Sequence, residues 1–456
     1  MEIGLILFAF GISFVTGYLL LRRVWPAQLP PNPLLQIFLG AGLGLGVSAH
    51  LIFYTLIIFD QLKTLPVIGL QAFLLILLVA DAYRSSKKNK IKLFFPEKVS
   101  SRDWGLLGIL GIALIPITLY ANFYPMGGWD AWSVWNLKAK FIFSGETHWK
   151  NMLDPILWRS SPHYPLLLPL INVWGWIFLS SPATVGPLLT SVVFTLLTAG
   201  TLTFGLKSRI GHVPALTAAL FLLTLSYFVQ LATSQYCDIV FAYYLLAGTI
   251  CLLNANQQKN TAFAFLAGLF FGFLSFTKNE GSLAMLLLVA LSFFYLPDKK
   301  TWRALLGGCV LTAVPTLIFD RLFSPGNQTF VNGLVSSAQP SDLYRLKMIF
   351  AFLWADLKSH NWNGLWAILG LGMLLSQGRF IRRDMRIIPF FLLSYLAVIF
   401  IYYYVNTHFK IAWWLQVTLD RVFVGILPVV IFWIFAAVWE NKSRTVTKSP
   451  VTRKNS

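Results

Sequence analysis

Apolar residues run along this chain in long blocks, not at the spacing of half-buried elements. A helix that crosses a bilayer needs about 20 such residues. Blocks of that kind fall at 3–21, 34–59, 65–83, 104–121, 213–231, 238–254, 261–276, 281–297, 304–320, 362–378, 387–405 and 421–439. The interval 166–206 holds two further apolar pieces, broken at Ser180–Pro182. The pattern predicts an all-α polytopic membrane protein, a single membrane domain over residues 1–456 with no soluble domain. The polar stretches that punctuate it are a basic loop at 84–103, a long loop at 122–165, a second segment at 321–361 and a basic tail at 440–456.

Composition agrees. The chain is 57% hydrophobic and 12% charged, where soluble domains carry about 25% charged residues. The 17 tryptophans suit many water–membrane interfaces. Cys237, Cys251 and Cys309 lie far apart in or near apolar blocks and read as free thiols. The first block lacks a basic leader and a small-residue cleavage site, so it reads as a retained span.

The net charge of +19 is distributed as a topology signal. Arg22 and Arg23, the 84–103 loop, Lys207 and Arg209, Lys259, Lys299 to Arg303, Arg379 to Arg386 and the tail together hold 24 of the 36 basic residues, against six acids. Placing these joints in the cytoplasm leaves the other side almost neutral, and a nucleic-acid partner is not indicated. Residue 165 then lies outside and residue 207 inside, so one crossing fits where two apolar pieces stand. Either one piece is re-entrant or interfacial, or Lys207 and Arg209 are misassigned. One crossing gives about 13 spans, with the N-terminus outside and the C-terminus inside. Leu343 to Lys358 is partly amphipathic and suits the interface. Asn327–Thr329 matches a glycosylation sequon.

With this topology the unusual polar residues gather on the external side, where ionisable groups at span ends default to function. Asp130 stands among Trp129, Trp132 and Trp135 in the stretch YPMGGWDAWSVWNLKAKFIF, 124–143, with interfacial helices expected around it. It reads as a catalytic carboxylate, with a helix N-cap as the plain alternative. Lys138 lies two turns on, about 12 Å away. It cannot pair with Asp130, and it reads as snorkelling to headgroups or as a substrate-binding residue. His163 precedes Tyr164–Pro165 at a helix entrance, as substrate contact or structural turn. Asp238 follows ATSQYC and is a second catalytic candidate or a cap. Lys278 and Glu280, in TKNEG, suit substrate binding or a local ion pair. Asp420 and Arg421 read as a helix-start carboxylate beside an interface anchor, or Arg421 as a phosphate ligand, because its fork matches phosphate oxygens. No P-loop, dinucleotide fingerprint, HExxH or GxSxG occurs. No cofactor is expected.

The order of these motifs resembles the GT-C superfamily of membrane glycosyltransferases. The acid in the first large loop, the His-x-Pro entrance, the later Asp and the T-K-x-E-G joint look most like bacterial relatives of protein O-mannosyltransferases and lipid A aminoarabinose transferases. The likeness covers roughly 120–300, and LQVTLDRVFVGILP at 415–428 looks like a late motif of uncharacterised bacterial members. The resemblance implies inverting transfer of a hexose or pentose from a polyprenyl-phosphate donor to a glycan, lipid or protein acceptor at the external face of the cell membrane. By matching position, Asp130 would be general base and Asp238 would orient sugar or acceptor. The chain departs from the family where His163–Tyr164–Pro165 replaces His-Pro-Pro and where Asp130–Ala131–Trp132 lacks D-x-D, so a divalent metal is not indicated. A transporter or flippase for an amphiphilic solute is the rival reading, though it would favour a two-fold repeat and charges within spans.

Overall fold

The computed structural model describes residues 1–26, 32–89, 99–325 and 342–439. The described residues are almost entirely helical, with no strand. In chain order the helices are α1 (Glu2–Val24), α2 (Pro33–Phe59), α3 (Thr64–Asn89), α4 (Ser101–Asn122), α5 (Asn136–Ser144), α6 (Leu167–Leu179), α7 (Val185–Ile210), α8 (His212–Thr224), α9 (Ser226–Thr233), α10 (Cys237–Gln258), α11 (Thr261–Ser275), α12 (Asn279–Tyr295), α13 (Lys299–Leu322), α14 (Leu343–Leu357), α15 (Leu365–Leu375), α16 (Ile387–Val405) and α17 (Ile411–Trp439). Among the described residues nine helices are long and apolar enough to cross a membrane, ten if the bent pair α8–α9 is one crossing. This is a multi-pass membrane protein.

Small residues let the helices approach closely, as packing between apolar helices requires. Gly40 and Gly44 on α2 face Gly17 on α1, and a Cβ on Gly44 would stand 1.7 Å from the Ser13 carbonyl. Gly268 on α11 and Gly308 on α13 meet in the same way. Polar side chains add interhelical hydrogen bonds: Ser13 to Ser48, Ser48 to Gln71, and Gln71 to Thr16 tie α1, α2 and α3. Helix α10 lies at the centre, with nearly every side chain buried.

Contacts between distant segments define two ends of the bundle. One end joins Arg23 to Asp81, Asn32 to the Phe204 carbonyl, Lys207 to Asp103, and Arg209 to Asn254. These are the joints that carry the basic residues. The opposite end joins Asp60 to Lys150, Leu167 to the Phe276 carbonyl, and Arg345 to the carbonyls of Tyr403, Tyr404 and Asn406.

The two pieces in 166–206 now separate. Helix α6 starts beside Phe276 and has 13 residues. Helix α7, with 26 residues, runs the full depth to Lys207 at the basic end. So α7 is the one helix between residue 165 and Lys207 that is long and apolar enough to cross, and α6 is a shorter apolar helix. Three expectations change. The run 213–231 is broken at Leu225, where α8 and α9 bend by 68°. The run 362–378 contains only the 11-residue α15, about 16 Å long and short of the roughly 30 Å hydrocarbon core. The run 421–439 begins ten residues earlier, so Asp420 and Arg421 lie inside α17 and do not open it. The 122–165 loop is helical through a π-turn at Ala131–Trp135, α5 and two 3-10 turns. Of the 84–103 loop, residues 84–89 continue α3 while 90–98 lie outside the described residues, as do the sequon at 327–329, most of 321–341 and the tail.

The three native cysteines are buried, so a membrane-impermeant thiol reagent will report introduced ones. Cysteines at Glu146 and Lys410 are expected to label from one face of a sealed vesicle, and those at Lys259 and Lys300 from the other. Labelling of all four from one face would overturn the two-ended arrangement.

Candidate functional site

The 124–130 turn is stitched onto the residues that precede α10. Gly127 adopts φ +69°, and a Cβ there would meet the Ser234 carbonyl at 2.6 Å. The Gly128 N–H donates to that carbonyl, the Asp130 N–H donates to the Tyr236 hydroxyl, and the Gln235 amide donates to the Pro125 carbonyl. The stitching sets Asp130 beside the first turn of α10, where Asp238 stands. Neither acid caps its helix through its side chain.

Both carboxylates meet Arg421 instead. Arg421 Nη2 lies 2.8 Å from Asp130 Oδ2 and 3.1 Å from Asp238 Oδ2, and its Nε donates to the same Asp238 oxygen at 3.3 Å. The guanidinium sits 4.8 Å over the Tyr236 ring. Asp238 Oδ1 accepts from Lys278 Nζ at 2.8 Å, and Lys278 in turn stands 3.8 Å from Glu280 Oε1. Lys278 is the extended residue before α12, and Glu280 is in that helix's first turn. Five ionisable groups from four distant stretches thus form one cluster, three carboxyl groups and two cations by residue type. Asp238 is its sealed centre, with 2% of its side chain exposed, against 19% for Asp130 and 27% for Glu280. A small cleft opens on the cluster, lined by Asp238, Phe241, Lys278, Glu280, Tyr395, Arg421, Val422 and Gly425.

The sequence candidates therefore divide. Asp130, Asp238, Lys278, Glu280 and Arg421 come together. Lys138 does not snorkel: it is completely buried, and its Nζ donates to the carbonyls of Ser161 and Tyr164. The carbonyls of the 161–164 turn face inward and need a donor, which Lys138 supplies. His163 lies against the Tyr164 ring. Burial and the neighbouring Lys138 pull its imidazole down to about 4, so at neutral pH it carries no charge to offer a phosphate. Trp135 is buried and stacks on Tyr164, while Trp129 and Trp132 pack edge to face and stay exposed.

Four aromatic residues of the site were missed: Tyr236 under Arg421, Phe241 and Tyr395 in the cleft wall, and Tyr164. Tyr395 lines the cleft from α16. The Tyr164 phenol stands within the field of the cluster, and the Glu280 carboxylate and burial push its pKa well above the usual value. The signal for Tyr164 lay beside His163, at the position where the motif departs from His-Pro-Pro. Among the described residues no group of three or more His, Cys, Asp or Glu could hold a metal ion. No protein-family model, curated protein or solved structure matches this chain.

Two outcomes test this geometry. Asp238→Asn leaves two buried cations short of a counter-charge and is expected to cost about 3–5 kcal/mol, against about 1 kcal/mol for the outer Asp130→Asn. Thermal unfolding in detergent checks the ranking, and equal shifts would refute it. Burial pulls the Lys138 amine down to about 7, while in the unfolded chain it titrates near 10.4. Between these values the unfolded state binds the extra proton, so stability rises with pH from about 7 to about 10. Lys138→Met is expected to flatten that rise in a pH series of melting temperatures.

Proposed function

We propose that this chain is an inverting membrane glycosyltransferase of GT-C type, taking its sugar from a polyprenyl-phosphate donor at the external face of the cell membrane. The reading expects about thirteen spans, which requires α11, α12 and α15 to cross as well, α15 together with the turns at His360–Trp362 and Arg379–Ile381 that flank it. The observation that carries it is the meeting of three carboxylates and two cations at a cleft, at the bundle end opposite the basic joints. Positive joints mark the cytoplasm, so the cleft faces outward, where ATP and nucleotide sugars are absent and a membrane-borne activated donor is not.

The chemistry fits the groups present. An acceptor hydroxyl attacks the anomeric carbon, and the bond to the lipid phosphate breaks with its electron pair on the phosphate oxygen. Charge grows on that phosphate, where Arg421 and Lys278 can stabilise it. Asp130 holds the outer edge of Arg421, and an arriving phosphate competes with it for that edge. Asp238 keeps both cations aimed while remaining sealed. A carboxylate of the cluster takes the hydroxyl proton.

Deleting the gene and comparing glycans on lipids, polymers and proteins by mass spectrometry is expected to reveal one missing sugar. Wild-type protein restores it, and Arg421→Ala restores it at a rate lower by about 100-fold. Unchanged glycans, or uptake of a solute lost with the gene, would overturn the reading.

A further inference from the structure

We propose that Asp130 is a latch: in this closed state it occupies the outer edge of Arg421 that a lipid-borne phosphate takes, and the phosphate enters by displacing it and lifting the 124–130 turn. That the lipid is a polyprenyl phosphate rests on the transferase reading above. The cluster as it stands leaves no room for such a group. The cleft beside it holds about one water molecule, and both cations are already engaged by carboxylates. An anion joining them would set a fourth acidic group against two cations. One acid therefore has to give way. Asp238 is sealed and bonds both cations. The Asp130–Arg421 pair is the outer one, with the two side chains 19% and 16% exposed.

Arg421 keeps its place without Asp130. Its Nε and Nη2 both donate to Asp238 Oδ2, and its face rests on the Tyr236 ring. Asp130 meets Nη2 at 2.8 Å as a charge contact, while the aligned hydrogen bonds of the guanidinium go to Asp238. A phosphate can take two parallel N–H groups of the fork at once, which makes it a better partner than the single oxygen it replaces. The chain around Asp130 is held loosely. Gly127 and Gly128 precede it, its N–H reaches the Tyr236 hydroxyl at 3.4 Å, and a π-turn follows at Ala131–Trp135, a rare form found mostly at functional sites. The same turn points to the source of the phosphate. Tyr120, Phe123, Tyr124, Met126, Trp129 and Trp132 are all exposed on it or just before it. Such a face lies at headgroup depth in a bilayer, where a lipid phosphate travels. Free phosphate gains nothing from it.

The experiment measures binding to the full chain in nanodiscs, with polyprenyl phosphate and inorganic phosphate as probes. Asp130→Asn is expected to tighten polyprenyl phosphate by about fivefold, the worth of one partly exposed ion pair, and Arg421→Ala to abolish its binding. The lipid is expected to bind at least about tenfold more tightly than inorganic phosphate. Trp129→Ala with Trp132→Ala should narrow that gap and leave inorganic phosphate unchanged. Ser133 is buried in the π-turn. Ser133→Cys in otherwise wild-type protein is expected to react several-fold faster with a membrane-impermeant thiol reagent once polyprenyl phosphate is bound. This readout decides alone if Asp130→Asn does not fold. Equal or weaker lipid binding by folded Asp130→Asn, no lipid binding by either protein, or Ser133→Cys labelling that the lipid leaves unchanged overturns the latch. Inorganic phosphate bound as tightly as the lipid overturns the lipid assignment. None of these measurements needs turnover. A wild type that binds and opens yet transfers no sugar removes the transferase reading and leaves the latch, whereas transfer without opening removes the latch alone.

Discussion

Asp238 holds this end of the molecule together. A carboxylate buried at the start of a central helix is tolerable only if its charge is matched, and here each oxygen is matched by a different cation. Lys278 comes from the joint between α11 and α12, and Arg421 from the interior of α17. The same guanidinium reaches outward to Asp130 in the first long loop. One sealed anion therefore fixes four parts of the chain that are separated by up to about 290 residues of sequence. The cleft exists because these parts are held at that spacing and no closer.

The apolar packing sets the stage for that ion cluster without supplying its direction. Lipid is as apolar as leucine, so the helices gain little from burial against one another and depend on close backbone approach and interhelical hydrogen bonds. The glycine contacts between α1 and α2, and between α11 and α13, provide the first. The Ser13–Ser48–Gln71–Thr16 chain provides the second. Above this frame the 124–130 turn is fastened by a backbone hydrogen bond to Ser234 and a side-chain bond from Gln235. Asp130 thus reaches its place by backbone geometry, while Asp238, Lys278 and Arg421 reach theirs at the ends or in the first half of helices.

Much of this was legible in the residues. Long apolar blocks identify spans because nothing else tolerates them, and the basic joints mark one end because each sits between such blocks. Charges that interrupt those blocks stand out, so Asp130, Asp238, Lys278, Glu280 and Arg421 could be named before their contacts were known. What could not be read were properties set by packing. Lys138 looks like a surface lysine in a run of aromatics, and only the inward carbonyls of Ser161 and Tyr164 show why it is buried. Tyr395 sits in an ordinary apolar span, so nothing local singles it out. Helix breaks were half legible: Ser180–Pro182 signals one, whereas the bend at Leu225 has no glycine or proline beside it. The charge on Arg421 hid the continuity of α17, since a buried ion pair allows a helix to carry a cation where hydropathy alone would end it.

The Trp174 indole donates to the Ala9 carbonyl in α1, and two residues earlier on α6 Asn172 donates to Asn136, whose amide reaches Gln235. Gln235 holds φ +60°, a conformation uncommon for a residue with a side chain. A chain of hydrogen bonds and helix α6 therefore runs from the N-terminal helix, which contains no member of the ion cluster, to Gln235, on which the Asp130 turn rests. The first span acts as a splint. Loosening it would change the stiffness of the ion cluster from a distance, through contacts that include none of its members.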